Sequence, residues 1–461
     1  MKYLILAAIA LLLHMVLKLN WYVTAAVFAG ILIFFIFQKK SSKMQKLQRQ
    51  RFYDANIYMD TLLYAFLKEG KIDGALMDVK NSLPQGELKR VIEDAVDHMH
   101  MTFDDSSVIE DALRMIEEKY TCSRISSIHD FMLHVEYYGG EIEKPIRILL
   151  EDKNRWESRI KRAMKEREKM FRDIVLSVIT SLAICGMVLY LPVMNMDISQ
   201  NLLVQILSAV VIFMDDAILL GAQKFMKTDW LRMDILGEDE VYEKKMKTYL
   251  SYNPKKERRL SVVLGVISGL AAIACLVFGK MWLVLLCVGV FLVCANQHKI
   301  GYALAGKSLK RHLASAFPNW LMDLVLLLQS ENVQVALYKS LSHVPGVLKS
   351  EVELLVDRLE ADPESAEPYH EFLASFHMPE VYSTMSMLYS LSVGNSGSAE
   401  QQVSELIVKN QELLDVAEEE RMKDKNSGMY LLFLAPVVTA SLKLVVDMAI
   451  FMLMFLSASV I

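Results

Sequence analysis

Cysteine is scarce in this 461-residue sequence, and its spacing excludes two common uses of the residue. Of the five cysteines, Cys122 stands in a polar region, and Cys185, Cys275, Cys287 and Cys294 lie inside apolar runs. No pair has the CxxC or CxxH spacing of a zinc site, and the pattern is not that of a disulfide-linked secreted domain. We therefore expect free, buried thiols.

The short motifs of common catalytic and nucleotide-binding sites are also missing. The sequence contains no GxxxxGK[ST] phosphate loop, no GxSxG or HExxH motif and no Rossmann fingerprint. His98 and His100 are two residues apart, so they would lie on different faces of a helix and could not hold one metal ion together. The sequence predicts no enzyme activity, no cofactor and no metal site.

Apolar residues, by contrast, are in excess. They make up 53% of the chain and give a mean hydropathy of +0.28, which is too apolar for an ordinary soluble protein. A spanning helix needs roughly 20 mostly apolar residues. The first two apolar runs are joined without a cleavage site, which favours a retained hairpin over a signal peptide. The candidate spans are 3–18, 21–37, 174–193, 202–222, 260–279, 281–295 and a tail at 430–461.

Basic residues set the expected orientation of these spans. They are frequent in QKKSSKMQKLQRQR (38–51), in NRWESRIKRAMKEREKMFR (154–172) and across 223–259, whereas the connection MNMDISQ (194–200) has none. By the positive-inside rule, the large connections lie on the cytoplasmic side of the cell membrane and the short turns face outward. Basic runs beside spans favour a lipid surface, not nucleic acid, as their partner.

The chain also repeats itself. DGALMDVKNSLP (73–84) and QVALYKSLSHVP (334–345) share an Ala-Leu pair and a following proline at the same internal spacing, 261 residues apart. At the same offset Leu63 falls on Leu324, and the hairpin at 3–37 corresponds to the one at 260–295. The ordered set of matches predicts a tandem duplication whose second copy is truncated.

The predicted fold class is all-α: a polytopic membrane protein with two repeated cytoplasmic helical-bundle domains and seven or eight transmembrane helices. Apolar residues recur at helical spacing, and glycines and prolines such as Gly70 and Gly394 arrive at helix-length intervals. We expect the last helix of each domain to continue into the membrane. The predicted order is a hairpin (1–37), a first domain (38–173), a hairpin (174–222), a loop (223–259), a hairpin (260–295), a second domain (296–429) and a C-terminal segment (430–461).

The tail leaves the number of spans open, and it carries two of the four charged residues predicted at membrane depth. A tail of 32 residues would cross once, or twice if it turned near Lys443–Asp447.

Asp215 and Asp216 lie in the fourth span, and Lys443 and Asp447, four residues apart, can pair along one helix. Because an unpaired charge costs a few kcal/mol at mid-bilayer, we predict a polar lock that orients helices. A proton or ion path is the alternative.

Two segments resemble a known family. FPNWLMDLVLLLQSENVQVAL (317–337) resembles the opening of the type II secretion F domain in Tad-type pilus platform proteins. The glycine-containing elements YYGGE (137–141) and SVGNSG (392–397), each before a long charged helix, are similar to that family as well. The first copy departs from the pattern, with NIYMD (56–60) where the second has FPNWL.

The resemblance implies an integral platform protein of a type IV (Tad-like) pilus or a type II secretion apparatus. Such a platform would couple a hexameric cytoplasmic secretion ATPase to pilin or pseudopilin subunits, within the lipid membrane and with a second copy or a paralogous platform protein. The mixed-charge stretch GEDEVYEKKMK (237–247) is a candidate ATPase contact, against a plain solvated face. The alternatives are a transporter that uses the intramembrane acids, a signalling scaffold and, least favoured by the missing motifs, a membrane enzyme.

Overall fold

A computed structural model describes residues 2–101, 108–190, 198–233, 239–251, 281–329, 331–394 and 399–459. Within these ranges the regular elements are helical and no strand occurs, which confirms the all-α class. The α-helices in chain order are α1 (Lys2–Val16), α2 (Trp21–Glu69), α3 (Ile72–Ser82), α4 (Glu87–Met101), α5 (Val108–Lys119), α6 (Ser123–Tyr138), α7 (Glu143–Leu189), α8 (Leu202–Met226), α9 (Asp239–Leu250), α10 (Met281–Leu327), α11 (Val333–Ser340), α12 (Gly346–Ala361), α13 (Glu367–Glu371), α14 (Pro379–Val393) and α15 (Ala399–Ser459).

The chain divides into two compact units, each discontinuous in sequence. Unit 1 comprises Met1–Met132, Leu149–Asp234 and Glu420–Ile461, and unit 2 comprises Leu133–Ile148 and Ile235–Glu419. The long helices α7 and α15 each contribute residues to both units. The chain therefore passes from one unit to the other within continuous helices.

Four helices of the described residues are long and apolar enough to cross a membrane. They are Trp21–Glu69, Glu143–Leu189, Leu202–Met226 and Gln401–Ser457, and Leu4–Val16 is a shorter apolar helix. The sequence predicted seven or eight spans. The predicted span 260–279 lies outside the described residues, and 281–295 forms the beginning of α10.

The tail does not turn back on itself. Helix α15 runs without a break from Ala399 to Ser459, so the alternative of a hairpin near Lys443–Asp447 is wrong. The two charged residues do not require a turn, because they pair along the helix four residues apart. The tail can therefore cross a membrane once.

Helices α2 and α7 each run without a break from an apolar segment into a polar segment. The sequence predicted this continuity for α7. Helix α2 carries the predicted span 21–37 and continues to Glu69. It ends where predicted, at Gly70, whose φ of 67° is left-handed and whose N–H donates to the Phe66 carbonyl at 2.7 Å. Gly394 ends α14 with the same geometry, at a φ of 70°.

Two turns at the ends of the apolar helices are tied together by one buried side chain. The Gln205 amide nitrogen donates to the carbonyls of Lys18 and Ser199, at 2.8 and 2.7 Å. Its amide oxygen accepts from the backbone N–H of Asn20 at 2.9 Å. The α1–α2 turn and the start of α8 thus lie at the same end of the helix bundle.

The polar part of unit 1 is a helical bundle in which α3 packs on α2 and α4. Its core contains a buried polar chain. The Tyr58 hydroxyl lies 2.8 Å from Nε2 of His129, and Nδ1 of His129 lies 2.7 Å from a Glu117 carboxylate oxygen. A tautomer with Nδ1–H donating to Glu117 leaves Nε2 to accept from Tyr58, so each group has a partner.

The core of unit 2 is built on α10, α11, α12 and α14. Trp320 is fully buried, and its indole N–H donates to the Ser340 hydroxyl at 3.1 Å. The stretch 223–259 was predicted to be a loop, but it contains α9, which packs against α10 and α12. The reason is an apolar face at helical spacing, Tyr242, Met246 and Tyr249, of which Met246 is buried in the core.

Candidate functional site

The structure places Asp215, one of the four charged residues predicted at membrane depth, at a junction of three helices. It lies on α8 and is only 2% exposed. The Ser181 hydroxyl of α7 lies 3.4 Å from Oδ2, and the Thr439 hydroxyl of α15 lies 3.3 Å from Oδ1. Both hydroxyls can donate to the carboxylate, so this single side chain connects α8 to α7 and α15.

Lys443 and Asp447 form a buried ion pair on α15. Their side chains are 0% and 1% exposed, and the Lys443 ammonium group donates to Oδ2 of Asp447. The other carboxylate oxygen, Oδ1, is buried without a hydrogen-bond partner among the described residues. Cys185 of α7 lies within electrostatic range of this pair and of Asp215, so the three polar residues share one region of the bundle.

Asp216 is not brought into this cluster. It is half-buried on α8, and the described part of the chain gives it no hydrogen bond or ion pair. Successive residues of a helix point about 100° apart, so Asp216 cannot share the contacts of Asp215. The structure therefore brings together three of the four predicted residues.

A second polar junction, which the sequence interpretation did not identify, is centred on Arg167 of α7. Its side chain is 2% exposed, and Nε donates to Oδ1 of Asn426 in α15 at 2.9 Å. Nη1 donates to the carbonyl of Phe225, at the end of α8, at 3.0 Å, and to the Thr228 hydroxyl. The guanidinium carbon lies 4.9 Å from the centre of the Trp230 ring, a cation–π contact.

A third set of polar contacts holds α7 in the polar bundle of unit 1. The Lys153 ammonium group, 2% exposed, lies 2.5 Å from Asp60 of α2 and 2.9 Å from Glu157. The adjacent Asp152 accepts from Arg124 of α6 at 2.7 Å. Charge-assisted hydrogen bonds in a poorly hydrated setting fix geometry closely, so α7 is anchored here to two other helices.

These polar contacts are spaced along one straight element. At 1.5 Å per residue, Arg167 lies roughly 20 Å along α7 from the Lys153 contacts and roughly 20 Å from Ser181 on the other side. Together they join α7 to α2, α6, α8 and α15. Among the described residues, no group of three or more His, Cys, Asp or Glu side chains could hold a metal ion. The described contacts fix the position of α7 relative to α2, α6, α8 and α15.

The burial of Arg167 could be predicted from the sequence, although the other basic residues around it make this position hard to recognise. The buried positions of α7 recur at helical spacing through Trp156, Ile160, Ala163 and Ile174. Arg167 falls on this same stripe, four residues after Ala163. A cation that falls on the buried stripe of a helix indicates a hydrogen-bonded group, and this position distinguishes Arg167 from solvated neighbours such as Arg162.

Comparison of the chain with protein-family models, curated proteins and solved structures found no match. The resemblance to the F-domain family accordingly stays a prediction from the sequence motifs.

Proposed function

We propose that this chain is an integral membrane platform that couples a hexameric cytoplasmic secretion ATPase to the assembly of pilin or pseudopilin subunits. One observation carries the proposal. Helices α2, α7 and α15 each run without interruption from an apolar segment long enough to cross a membrane into a polar segment. A rigid helix moves as a whole, so a displacement of the polar part is passed to the apolar part.

The order of helices supports a tandem duplication. Four helices of the first half begin 261, 259, 256 and 256 residues before four helices of the second half. The corresponding first residues are Ile72 and Val333, Glu87 and Gly346, Ser123 and Pro379, and Glu143 and Ala399. The element between the second and third pairs differs, because α5 has 12 residues and α13 only 5. Small shifts at connections are where insertions and deletions are tolerated.

A contact inside unit 1 supports a pseudo-twofold relation between the two copies. Helices α7 and α15 begin 256 residues apart, which makes Ser177 the counterpart of Phe433. The Ser177 hydroxyl donates to the Phe433 carbonyl at 3.0 Å. Within unit 1, equivalent positions of α7 and α15 thus face each other, as the two sides of an isologous interface do. Two copies in one chain would thus replace a dimer of single-copy platforms.

We place both polar regions in the cytoplasm and the apolar helices in the cell membrane. The basic residues beside the apolar segments support this orientation through the positive-inside rule. In this position the polar helices would meet the ATPase, and the apolar helices would meet pilin segments in the bilayer. The platform would take its energy from the ATPase, since the sequence has no phosphate-binding loop of its own.

The test is co-purification of the full-length protein with the secretion ATPase of the same cell, followed by a fibre-assembly assay. We expect the two proteins to associate, and we expect the membrane protein alone to hydrolyse no ATP. Arg167→Ala should still associate with the ATPase but lose most fibre assembly, because it removes the hydrogen bonds that hold α7 to α8 and α15. Arg162→Ala, an exposed arginine on the same helix, should keep both. Failure to associate, or ATP turnover by the platform alone, would contradict the proposal.

A transporter is the second candidate, favoured by the half-buried and unpartnered Asp216. A substrate path would require Asp215 and Asp216 to change protonation or bind an ion, whereas a lock requires only hydrogen bonding. Asp215→Asn keeps an acceptor oxygen for one of the Ser181 and Thr439 hydroxyls and offers an amide N–H to the other. We expect Asn at either position to leave fibre assembly intact. Loss of solute uptake with normal protein amounts in the membrane would favour the transporter instead.

A further inference from the structure

Unit 1 contains a polar pocket at the level where the apolar segments of three helices end. The pocket has a volume of about 540 Å³, within the range of about 300–1,000 Å³ typical of small-molecule sites. Helix α2 contributes a wall just after the predicted span 21–37, α7 one just before 174, and α8 one just after 222. The lining residues used below are Ser41, Lys165, Phe171, Arg172, Gln223 and Met226.

The pocket carries a net positive charge that the protein does not neutralise. Lys165 and Arg172 both line it, and in the described part of the chain neither makes an ion pair. The only acidic residue of the lining, Glu168, is already paired with Arg49. Two cations that face one concave space attract a negatively charged group, and phosphate is one of the groups that Lys and Arg bind in proteins.

A buried amide in the pocket needs a hydrogen-bond donor from the ligand, which is independent of the ligand's charge. Gln223 is 6% exposed, and its amide oxygen has no hydrogen-bond partner among the described residues. A buried acceptor left unpaired costs roughly 1–3 kcal/mol, and a ligand that donates a hydrogen bond would remove that cost. The ligand therefore needs hydroxyl or ammonium donors next to its phosphate.

We propose that this pocket binds the headgroup of an anionic phospholipid that carries hydroxyl groups, of the phosphatidylglycerol class. The phosphate would lie between Lys165 and Arg172, and the glycerol hydroxyls would donate to Gln223. Phe171 and Met226 supply apolar walls, which a soluble anion does not need and the start of an acyl chain does. The position of the pocket at the ends of three spans is the depth of lipid headgroups, provided that these helices cross the membrane.

Such a lipid would act as a fourth connection of α7. It would bridge α2, α7 and α8 at the level of Arg167, which lies between Lys165 and Arg172 on the same helix. The protein side of the contact would be strongest in membranes rich in anionic lipid. The lipid would therefore stabilise the arrangement in which the three helix ends are held together.

Native mass spectrometry of the full-length protein tests the proposal, with equal amounts of dioleoyl phosphatidylglycerol and dioleoyl phosphatidylcholine added in detergent. We expect one phosphatidylglycerol to be retained preferentially. Lys165→Gln and Arg172→Gln should each lower the ratio of the two bound lipids by about fivefold, the effect of one cation near a lipid surface. Lys169→Gln, the same change at an exposed position outside the pocket lining, should leave the ratio unchanged.

Gln223→Leu tests the hydroxyl-binding amide separately from the two cations that bind the phosphate. It should reduce the preference for phosphatidylglycerol over phosphatidic acid, which has a phosphate but no glycerol hydroxyls, while phosphatidic acid stays bound. Three results would overturn the proposal. The first is equal retention of phosphatidylglycerol and phosphatidylcholine by the unaltered protein. The second is an equal loss in Lys169→Gln, and the third is displacement of the lipid by millimolar inorganic phosphate, which would assign the pocket to a soluble anion.

Discussion

Arg167 shows how one side chain can decide the packing of three helices. A guanidinium group has five N–H donors in a fixed plane, and here it serves α15 through Asn426 and the end of α8 through the Phe225 carbonyl. Lysine has the charge but not the planar fork, so it could not hold both partners in the same geometry. Arg167 thus differs from the exposed basic residues around it, because its donors have partners on two other helices.

Replacement of Arg167 should destabilise unit 1 much more than replacement of a neighbouring arginine. Arg167→Ala leaves the Asn426 amide oxygen buried without its donor, whereas the Phe225 carbonyl keeps the Thr228 hydroxyl, so we expect a cost of roughly 1–3 kcal/mol. Arg167→Lys should recover part of that loss. Unfolding in mixed micelles with increasing SDS, followed by tryptophan fluorescence, measures the difference. Arg162→Ala is the control, and an equal loss in both variants would refute the role assigned to Arg167.

Glu117 should make the polar bundle of unit 1 sensitive to acid. Burial alone would raise the pKa of its carboxyl group, but the hydrogen bond from His129, with smaller contributions from Ser126 and Arg114, lowers this pKa below its ordinary value of 4.5. A carboxylate with a lowered folded-state pKa stabilises the protein above its ordinary pKa, and this stabilisation is lost as pH falls through the folded-state value.

We therefore expect Glu117→Gln to lower the midpoint of thermal unfolding at pH 7. The difference from the unaltered protein should shrink as the pH falls below 4.5, because both proteins then carry an uncharged group at this position. Glu118→Gln, at the exposed neighbouring position, should change the midpoint little at either pH. A difference that is constant across this range would rule out a contribution from ionised Glu117.

At the scale of elements, close helix approaches depend on small residues. A Cβ at Gly186 of α7 would lie 2.9 Å from the carbonyl oxygen of Val16, at the end of α1. A backbone atom cannot move aside without moving its helix. At Gly221 of α8, a Cβ would meet only the Leu432 side chain at 3.5 Å, an ordinary contact.

Gly186→Ala should accordingly cost about 1–3 kcal/mol through overpacking. Gly221→Ala should be neutral or slightly stabilising, because alanine is the better helix former. The same SDS unfolding series compares the two variants. Equal behaviour would mean that α1 is not packed as tightly against α7 as the structure has it.

The sequence was most informative where local chemistry decides the outcome. Gly70 and Gly394 end helices as expected, because only glycine readily adopts the left-handed cap. The interpretation failed for α9, whose apolar face has only three members within a strongly charged segment. It also missed Arg167, since burial of a charge depends on partners from α8 and α15 that are distant in sequence.

At the scale of the whole molecule, the proposed orientation predicts an accessibility pattern. Single cysteines would replace the exposed Tyr22, Tyr64 and Tyr338 in a background whose native cysteines are changed to alanine. A membrane-impermeant maleimide should label the cysteine at position 22 in intact cells. It should label those at positions 64 and 338 only after the membrane is permeabilised. Labelling of position 64 or 338 in intact cells would place that region outside and end the platform proposal.

The position of Arg167 within α7 has a mechanical consequence. The helix of 47 residues is about 70 Å long, and Arg167 lies close to its midpoint. The Lys153 contacts and the Ser181 hydroxyl also hold this helix on either side of Arg167, so the helix is not free to pivot there. A push along the helix axis would instead carry all three contact levels, spread over about 40 Å, by the same distance and in the same direction.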